Sequence, residues 1–283
     1  MNSCAEAAGV VLAGGRSSRM GTSKAAMEWH DSTLLYRTAA LLGRTVGGPV
    51  VVVSAAGQEL PPLPGGVRVV TDPVPGLGPL QGVAAGLEAV RGAAATAFVC
   101  STDLPFLHPA FVRCVLAALD GVASEATPID VALPLARGYR QPLAAGYRTA
   151  LAEPITALLA AGKRRPGMLF ERCHVVELDD AALHTDPDLA RLDPGLESVT
   201  NVNEPADYAA ARARPPEPVT VEVSGRRAHV VRAAALGAAA AAVGMELTGE
   251  VAALLNGLRV APDPQLPLVA GDTVVLDGCR ARS

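Results

Sequence analysis

Aromatic residues are scarce in this sequence: Phe, Tyr and Trp supply 3% of its 283 residues, although hydrophobic residues supply 50%. A core built largely from Ala and Val suits helices packed closely on a sheet. Neither sign of charge dominates, with 24 Lys and Arg against 28 Asp and Glu and a net charge of -4. That excludes the broad basic surface that nucleic-acid binding needs. With 18% charged residues and half the chain apolar, global disorder is excluded as well. The five cysteines form no C-x-x-C pair and are odd in number, which argues against a zinc site or a disulfide framework and fits a reducing compartment. The start, Met1–Gly9, has no basic cluster followed by a long apolar stretch, so no signal peptide is expected. The apolar run Gly9–Gly14 is too short to span a bilayer. The expectation is a soluble cytoplasmic protein with no nucleic-acid or membrane partner.

What is present is an alternation of short apolar runs and helical patterns. Gly9–Ala13, Pro49–Ser54 with its four successive valines, Val67–Thr71 and Ala97–Ser101 read as buried strands. Ser32–Leu42, Pro79–Val90 and Pro109–Leu119 have helical spacing. The alternation predicts an α/β fold: a Rossmann-like, mostly parallel sheet with helices on both faces. Ligands in such sheets bind at the carboxyl ends of the strands. The Gly-rich loop after the first strand, Asp72 after the third and Asp103 after the fourth all fall there. Further on, Val131–Leu135 and Leu143–Tyr147 read as a strand pair, Ala150–Ala161 as a helix, Val175–Leu178 as a strand and Pro205–Ala213 as a last helix.

The run Arg214-Pro215-Pro216-Glu217-Pro218 predicts a stiff linker. The expected division is therefore residues 1–213, a linker 214–218, and a small domain 219–283. In the small domain, Val219–Val223 and Ala228–Val231 read as strands and Arg232–Val243 as an Ala-rich helix. Asn256-Gly257 within Ala252–Val260 is a hairpin signal, and Thr273–Leu276 reads as the last strand. The order ββαβββ suggests an α+β module of β-grasp type. Its six basic and six acidic residues point to no charged partner.

The loop Leu12-Ala13-Gly14-Gly15-Arg16-Ser17-Ser18-Arg19-Met20-Gly21-Thr22-Ser23-Lys24 suits a polyphosphate. Gly14 and Gly15 let the backbone approach a ligand closely, and successive N–H groups can point at phosphate oxygens. Arg19 offers a planar fork for two oxygens, and Lys24 a compact mobile charge. The loop is neither G-x-x-x-x-G-K-[ST] nor G-x-G-x-x-G. Read on residues alone, Asp103 caps a helix or holds a metal, Asp72 forms a turn or binds a nucleotide, and Asn203 caps a helix or joins the site.

The loop resembles the L-A-G-G-x-S-x-R-M-G-x-x-K signature of the nucleotidyltransferases that act on molybdopterin and, more widely, the sugar-activating pyrophosphorylases. Asp72 with Gly78-Pro79-Leu80-Gln81-Gly82 resembles that family's acidic residue and G-P-L-x-G. Ser101–Leu107 resembles its C-D-x-P-F-L segment. Arg140-Gln141-Pro142-Leu143 resembles its Q-P-L strand, Gly162–Arg165 its G-x-R turn and Asn201-Val202-Asn203-Glu204-Pro205 its N-V-N-T-P. The resemblance is collinear over roughly residues 9–210, and Asp103-Leu104-Pro105 with Gln141-Pro142 is similar to the guanylyl-transferring branch. It implies a fold of the nucleotide-diphospho-sugar transferase type and transfer of GMP from GTP to molybdopterin, with pyrophosphate released.

The resemblance also implies roles. Lys24 and Arg19 would stabilise developing phosphate charge, and Asp103 would hold Mg²⁺. Leu12, Ala13, Gly14, Gly15, Lys24, Asp72 and Asp103 would bind the nucleotide, with Gln141, Asn201 and Asn203 on the pterin side. Molybdenum-insertion or molybdoenzyme maturation proteins are the further partners it suggests. Two other readings remain: a cytidylyl or sugar-phosphate nucleotidyltransferase, and a non-catalytic nucleotide-binding assembly partner. The tail resembles the β-grasp sulfur carriers of molybdopterin and thiamine biosynthesis but ends Gly278-Cys279-Arg280-Ala281-Arg282-Ser283 without their Gly-Gly. A docking or structural module is expected in place of a sulfur carrier.

Overall fold

Strand β1 (Ala8–Leu12) is buried along its whole length. A short hairpin follows, β2 (Glu28–Trp29) and β3 (Ser32–Thr33), then helix α1 (Leu34–Gly43), β4 (Val50–Ser54), β5 (Arg68–Thr71), α2 (Pro79–Val90) and β6 (Thr96–Ser101). Next come α3 (Pro109–Ala117), β7 (Val122–Ser124), β8 (Thr127–Pro128), β9 (Val131–Ala136), β10 (Tyr139–Arg140) and β11 (Ala144–Arg148). Helices α4 (Ala152–Ala160) and α5 (Pro166–Phe170), strand β12 (Val175–Asp179), and helices α6 (Asp180–Leu183), α7 (Pro187–Leu192) and α8 (Pro205–Arg212) complete this part. This computed structural model describes residues 6–14, 24–72, 74, 76–124, 127–224, 227–248 and 251–278.

The large sheet runs β10-β9-β11-β6-β1-β4-β5, with β12 paired to β9. Strands β6, β1, β4 and β5 are mutually parallel, and β11 enters antiparallel between β6 and β9. Leu12 lies opposite both Val53 and Ser101, so β1, β4 and β6 end level with one another. The β1 side chains alternate. Ala8, Val10 and Leu12 join Val51, Val53, Val99 and the α2 residues Leu80, Val83 and Leu87 in one core cluster. On the opposite face Phe98 meets Phe111 of α3 edge-on, at 6.3 Å and 89°. The expected helices on both faces are therefore present. Ala and Val allow α2 to come very close to β1: a Cβ on Gly86 would lie 2.3 Å from Val10 Cγ1, so no larger residue fits there without displacing the helix.

After α8 come β13 (Pro218–Val223), β14 (His229–Arg232), α9 (Leu236–Ala242), β15 (Ala252–Leu255), β16 (Leu258–Val260) and β17 (Thr273–Asp277). They form a sheet of order β14-β13-β17-β15-β16 in which β13 and β17 are parallel and the other pairs antiparallel. Its core packs Leu236, Ala239 and Ala240 of α9 on Val219, Val221, Ala253, Leu255, Val274 and Leu276. The β15–β16 turn is the Asn256-Gly257 pair, with φ 52° and 81°, the left-handed geometry that two-residue hairpins demand.

By compactness the chain divides into one unit of Met1–Met27 and Leu34–Asp207 and another of Glu28–Thr33 and Tyr208–Ser283.

Three elements differ from the sequence reading. Ser32 and Thr33 pair with Trp29 and Glu28 in a hairpin, so α1 begins only at Leu34. The reversal uses His30 and Asp31 at positive φ, a turn that no Gly announces. The Ala-rich helix begins at Leu236 and not at Arg232, because Arg232 pairs with Pro218 in the sheet and Ala235 bridges Pro267. An all-Ala stretch has no apolar periodicity to mark its start. The end of the third predicted helix, Ala118–Asp120, tightens to a 3₁₀ turn.

Candidate functional site

The loop after β6 places one carboxylate at the level end of the parallel strands. The buried Thr102 turns the chain, and the Ser101 hydroxyl donates to Asp103 Oδ1. The Asp103 carbonyl accepts from Val202 N–H at 3.0 Å. Further along the same loop, the buried Arg37 of α1 donates from Nε to the Pro105 carbonyl at 2.9 Å. His108 N–H donates to Ser198 Oγ at 3.0 Å. Ser198 is fixed in turn, because the buried Asp193 carboxylate accepts from Glu197 N–H and Ser198 N–H at 2.6 and 3.0 Å. These bonds satisfy backbone groups that a loop would otherwise give to water, and they hold the Asp103 carboxylate in one direction.

Lys24 opens a 3₁₀ turn, Lys24–Ala26, anchored by the buried Ala25. Its Nζ donates to Asp103 Oδ2 at 3.1 Å and to Asn203 Oδ1 at 2.7 Å. The Lys24 and Asp103 side chains are 21% and 16% exposed, so both stay within reach of a ligand. Residues 24, 103 and 203, remote in sequence, thus converge on one ammonium. Among the described residues its partners are the oxygens Asp103 Oδ2 and Asn203 Oδ1, and Ser101 Oγ stands on the other Asp103 oxygen. That is the chemistry of a hard cation's surroundings. Among the described residues no group of three or more His, Cys, Asp or Glu side chains could hold a metal by itself.

The other expected site residues distribute as follows. Leu12 ends β1, and Ala13 and Gly14 follow it. The N–H groups of Ala13 and Gly14 both donate to the Val53 carbonyl, at 2.9 and 3.2 Å. Asp72 follows β5, bonds Ser54 O through its N–H at 2.7 Å and accepts Val74 N–H on Oδ1 at 3.1 Å. One carboxylate oxygen thus closes the turn after β5. Gln141 lies at the β10–β11 connection, where its N–H bonds Pro134 O at 2.8 Å. Asn201 is exposed. Gly15 and Arg19 lie outside the described residues. The helix-capping alternatives do not hold: α3 is capped by His108 Nδ1 accepting from Ala110 N–H, and Asn203 spends its side-chain oxygen on Lys24.

Residues 9–176 match the MobA-like NTP transferase domain family. A protein of Mycobacterium tuberculosis H37Rv named "probable molybdenum cofactor guanylyltransferase" is 40% identical over 169 residues, 58% of this chain and 79% of that protein. The chain belongs to the MobA-like NTP transferase family. It is a nucleotidyltransferase, and the domain that makes it one ends upstream of the tail.

Solved structures share the fold of this MobA-like chain. Molybdopterin-guanine dinucleotide biosynthesis protein A from Archaeoglobus fulgidus aligns with TM-score 0.52 at 21% identity, over 72% of this chain and 96% of its own. Rv0371c from Mycobacterium tuberculosis aligns with TM-score 0.51 at 17% identity, over 74% and 99%.

Sequence reasoning passed over several residues of this MobA-like site. Gln58 straps the ends of β1 and β4, donating from Nε2 to Ala13 O at 3.0 Å and accepting from Ala55 N–H at 2.9 Å. In the sequence Ser101 stands out only as part of the motif, and Arg37, Ser198 and Asp193 do not stand out. Arg37 carries the one readable signal, a charge on the otherwise apolar face of a helix. An open cavity of about 510 Å³ is not part of this site. Its wall includes Asp130 and Cys173, which precede β9 and β12 and so lie toward the amino ends of the strands.

Proposed function

We propose that this chain transfers GMP from GTP to molybdopterin, molybdenum-loaded, to give molybdopterin guanine dinucleotide and pyrophosphate. The observation that carries the reading is the convergence of Lys24, Asp103 and Asn203 at the carboxyl ends of parallel strands. The name of the mycobacterial relative points the same way. A terminal phosphate of the pterin attacks the α-phosphorus of GTP, the α–β bond breaks and pyrophosphate leaves. Such transfers need positioning and charge neutralisation more than covalent participation by the protein.

Lys24, released from Asp103 by an incoming triphosphate, follows the developing negative charge, and Arg19 assists with its fork. Gly14 and Gly15 bring the backbone against the phosphates. Leu12 and Ala13 present backbone groups to the base, with Gln58 setting their position, and Asp72 binds the nucleoside side. Gln141, Asn201 and Asn203 face the pterin. A divalent ion, Mg²⁺ by preference, fits the oxygens of Asp103 and Asn203. Asp103 would hold it together with the triphosphate oxygens, one or two carboxylates being enough for Mg²⁺. Bound there, it supplies charge neutralisation on the triphosphate.

The tail, with its ββαβββ order and parallel central pair, is read as a β-grasp module appended for docking or structure. It leaves the transfer chemistry to residues 1–213, across the Pro-rich segment 214–218. The chain is read as acting in the cytoplasm; among the described residues no helix is long and apolar enough to cross a membrane.

Pyrophosphate release from GTP, CTP and ATP, with molybdopterin and a divalent ion present, tests the assignment. Turnover dependent on GTP and on the pterin is expected. Preference for CTP, or for a sugar phosphate as acceptor, would move the chain to another nucleotidyltransferase branch. GTP binding without turnover would leave it an assembly partner.

A further inference from the structure

The hairpin β9–β10 carries a side chain that the fold leaves unused. Tyr139 is 75% exposed, although the other aromatic side chains of the chain are buried or half-buried. Among the described residues it has no hydrogen bond and no ring partner. A single exposed apolar residue is ordinary by itself; what distinguishes this one is its mounting. The tip of the hairpin is the two-residue turn Arg137-Gly138, with φ 54° and 80°. A non-Gly residue occupies that region at a cost, and here its surroundings fix it. Arg137 N–H donates to Asp180 Oδ1 at 2.9 Å. The Arg137 guanidinium donates to Thr200 Oγ1 at 2.6 Å and meets Glu197 Oε1 at 3.5 Å, and the Thr200 hydroxyl donates to Glu197 Oε2 at 3.1 Å. After the turn, Arg140 pairs with Glu177 of β12 at 2.5 Å. Tyr139 lies opposite Ala136, on the other face of the hairpin from Arg140, so this ion pair leaves the ring uncovered.

The same contacts tie the hairpin to the Lys24 cluster. Thr200 meets Arg137, and Asn203, three residues on, meets Lys24 Nζ at 2.7 Å. Three residues of chain span at most about 11 Å, so the turn and the ammonium stand at the two ends of one short segment. Between them Asn201 is exposed, and the buried Val202 puts its N–H on the Asp103 carbonyl. The sheet gives a similar separation. Strands β10 and β9 are neighbours, as are β9 and β11, and β11 and β6, and three strand spacings come to about 14 Å.

We propose that Tyr139 is the stacking platform for the fused ring of the pterin acceptor, and so a specificity-determining residue of the transfer. A molecule with a phosphate at one end and a flat fused ring at the other lies along Thr200–Asn203. Its phosphate is at Lys24 and Asp103, its ring is on the tyrosine, and the exposed carboxamide of Asn201 is on the way. A flat heteroaromatic ring gains from facing an aromatic side chain, and a platform already fixed by its hairpin loses little freedom on binding. The proposal rests on the reading of the acceptor as molybdopterin.

The test is steady-state pyrophosphate release by the full chain with GTP and Mg²⁺, molybdopterin being varied, for the parent, Tyr139→Ala and Tyr139→Phe. Tyr139→Ala is expected to raise KM for molybdopterin about ten-fold, the worth of one stacked ring, with kcat and KM for GTP unchanged. Tyr139→Phe, which keeps the ring, should recover most of that loss. Neopterin, a pterin without a phosphate, should compete with molybdopterin in the parent and inhibit Tyr139→Ala about ten-fold less. Because the side chain is exposed, thermal unfolding should be alike in all three proteins. A parental KM for molybdopterin in Tyr139→Ala, or equal losses in Tyr139→Ala and Tyr139→Phe, would overturn the proposal. A parent without molybdopterin-dependent turnover removes the acceptor reading and the stacking with it. A molybdopterin-dependent parent with an indifferent Tyr139 removes the stacking alone.

Discussion

Asp272 and Asp103 both border sheet strands, and they are used in opposite ways. Asp272 precedes β17 in the tail and is 4% exposed. Its Oδ1 accepts from Asn256 Nδ2 and its Oδ2 from Val269 N–H, each at 2.8 Å, while Asn256 Oδ1 accepts Thr273 N–H at 2.8 Å. One of these donors is a backbone N–H, and the other is an amide that Thr273 N–H pins through its oxygen. Asp103 follows β6 and meets a hydroxyl and an ammonium. Both are side-chain groups on rotatable bonds, and both can be replaced by an incoming cation or phosphate. The difference is one of donor mobility more than of burial. A carboxylate closed by backbone and amide donors builds a loop, whereas one held by a lysine is available for chemistry.

The sharpest way to break this comparison is to remove each carboxylate in turn. Asp103→Ala and Lys24→Ala are expected to lower kcat by about 10²–10³, the usual effect of deleting a group that stabilises transition-state charge, with unfolding transitions near those of the parent. Steady-state pyrophosphate release and thermal unfolding read the two effects separately. Asp272→Ala should do the reverse. Stability should fall by about 2–3 kcal/mol, because buried donors lose their acceptor. Urea unfolding followed by circular dichroism measures this. A stability loss as large for Asp103→Ala would place the two aspartates in one class and dissolve the contrast.

Much of this was readable in the sequence, for physical reasons. Strands β1, β4 and β6 are short runs with apolar interiors, as a doubly covered parallel sheet requires, and Asn256-Gly257 encodes its own turn. Asp103 was legible because a lone carboxylate closes an apolar strand. The resemblance puts Asn203 on the pterin side, and its bond to Lys24 spans 179 residues of chain that no local pattern records. The hairpin Glu28–Thr33 escaped notice because its turn is His30-Asp31 and its partners, Arg212 and Gln265, lie at the far end of the chain. Arg37 and Asp193 were missed because their work is to satisfy backbone groups, and backbone demand leaves no composition signal.

A smaller effect sharpens the distinction between holding and reacting. Arg37 fixes the carbonyl of Pro105, near Asp103 on the same loop. Arg37→Lys retains charge but loses the planar N–H fork. Since small misplacements of a reacting group are costly, about a tenfold fall in kcat is expected with KM for GTP little altered. A change confined to KM would instead mean that Arg37 shapes nucleotide binding.

The smallest effect lies in alkaline solution and concerns thiols remote from Lys24. Burial, aided by Asp186 beside Cys114 and Asp130 beside Cys173, pushes both thiols up to about 11, above the 9.0 of an ordinary cysteine. Below pH 9 folded and unfolded chains hold these protons alike, so the shift contributes no slope. Between about pH 9 and 11 the unfolded chain releases them and the folded chain does not, so stability falls as pH rises. In reducing buffer the Cys114→Ser/Cys173→Ser double variant should therefore lose its unfolding midpoint less steeply over that interval than the parent. Its kcat at pH 8 should match the parent, because neither thiol borders the Lys24–Asp103–Asn203 cluster. An identical slope would mean that both thiols ionise as freely folded as unfolded, and that the groups around them admit water as readily as those around Asp103.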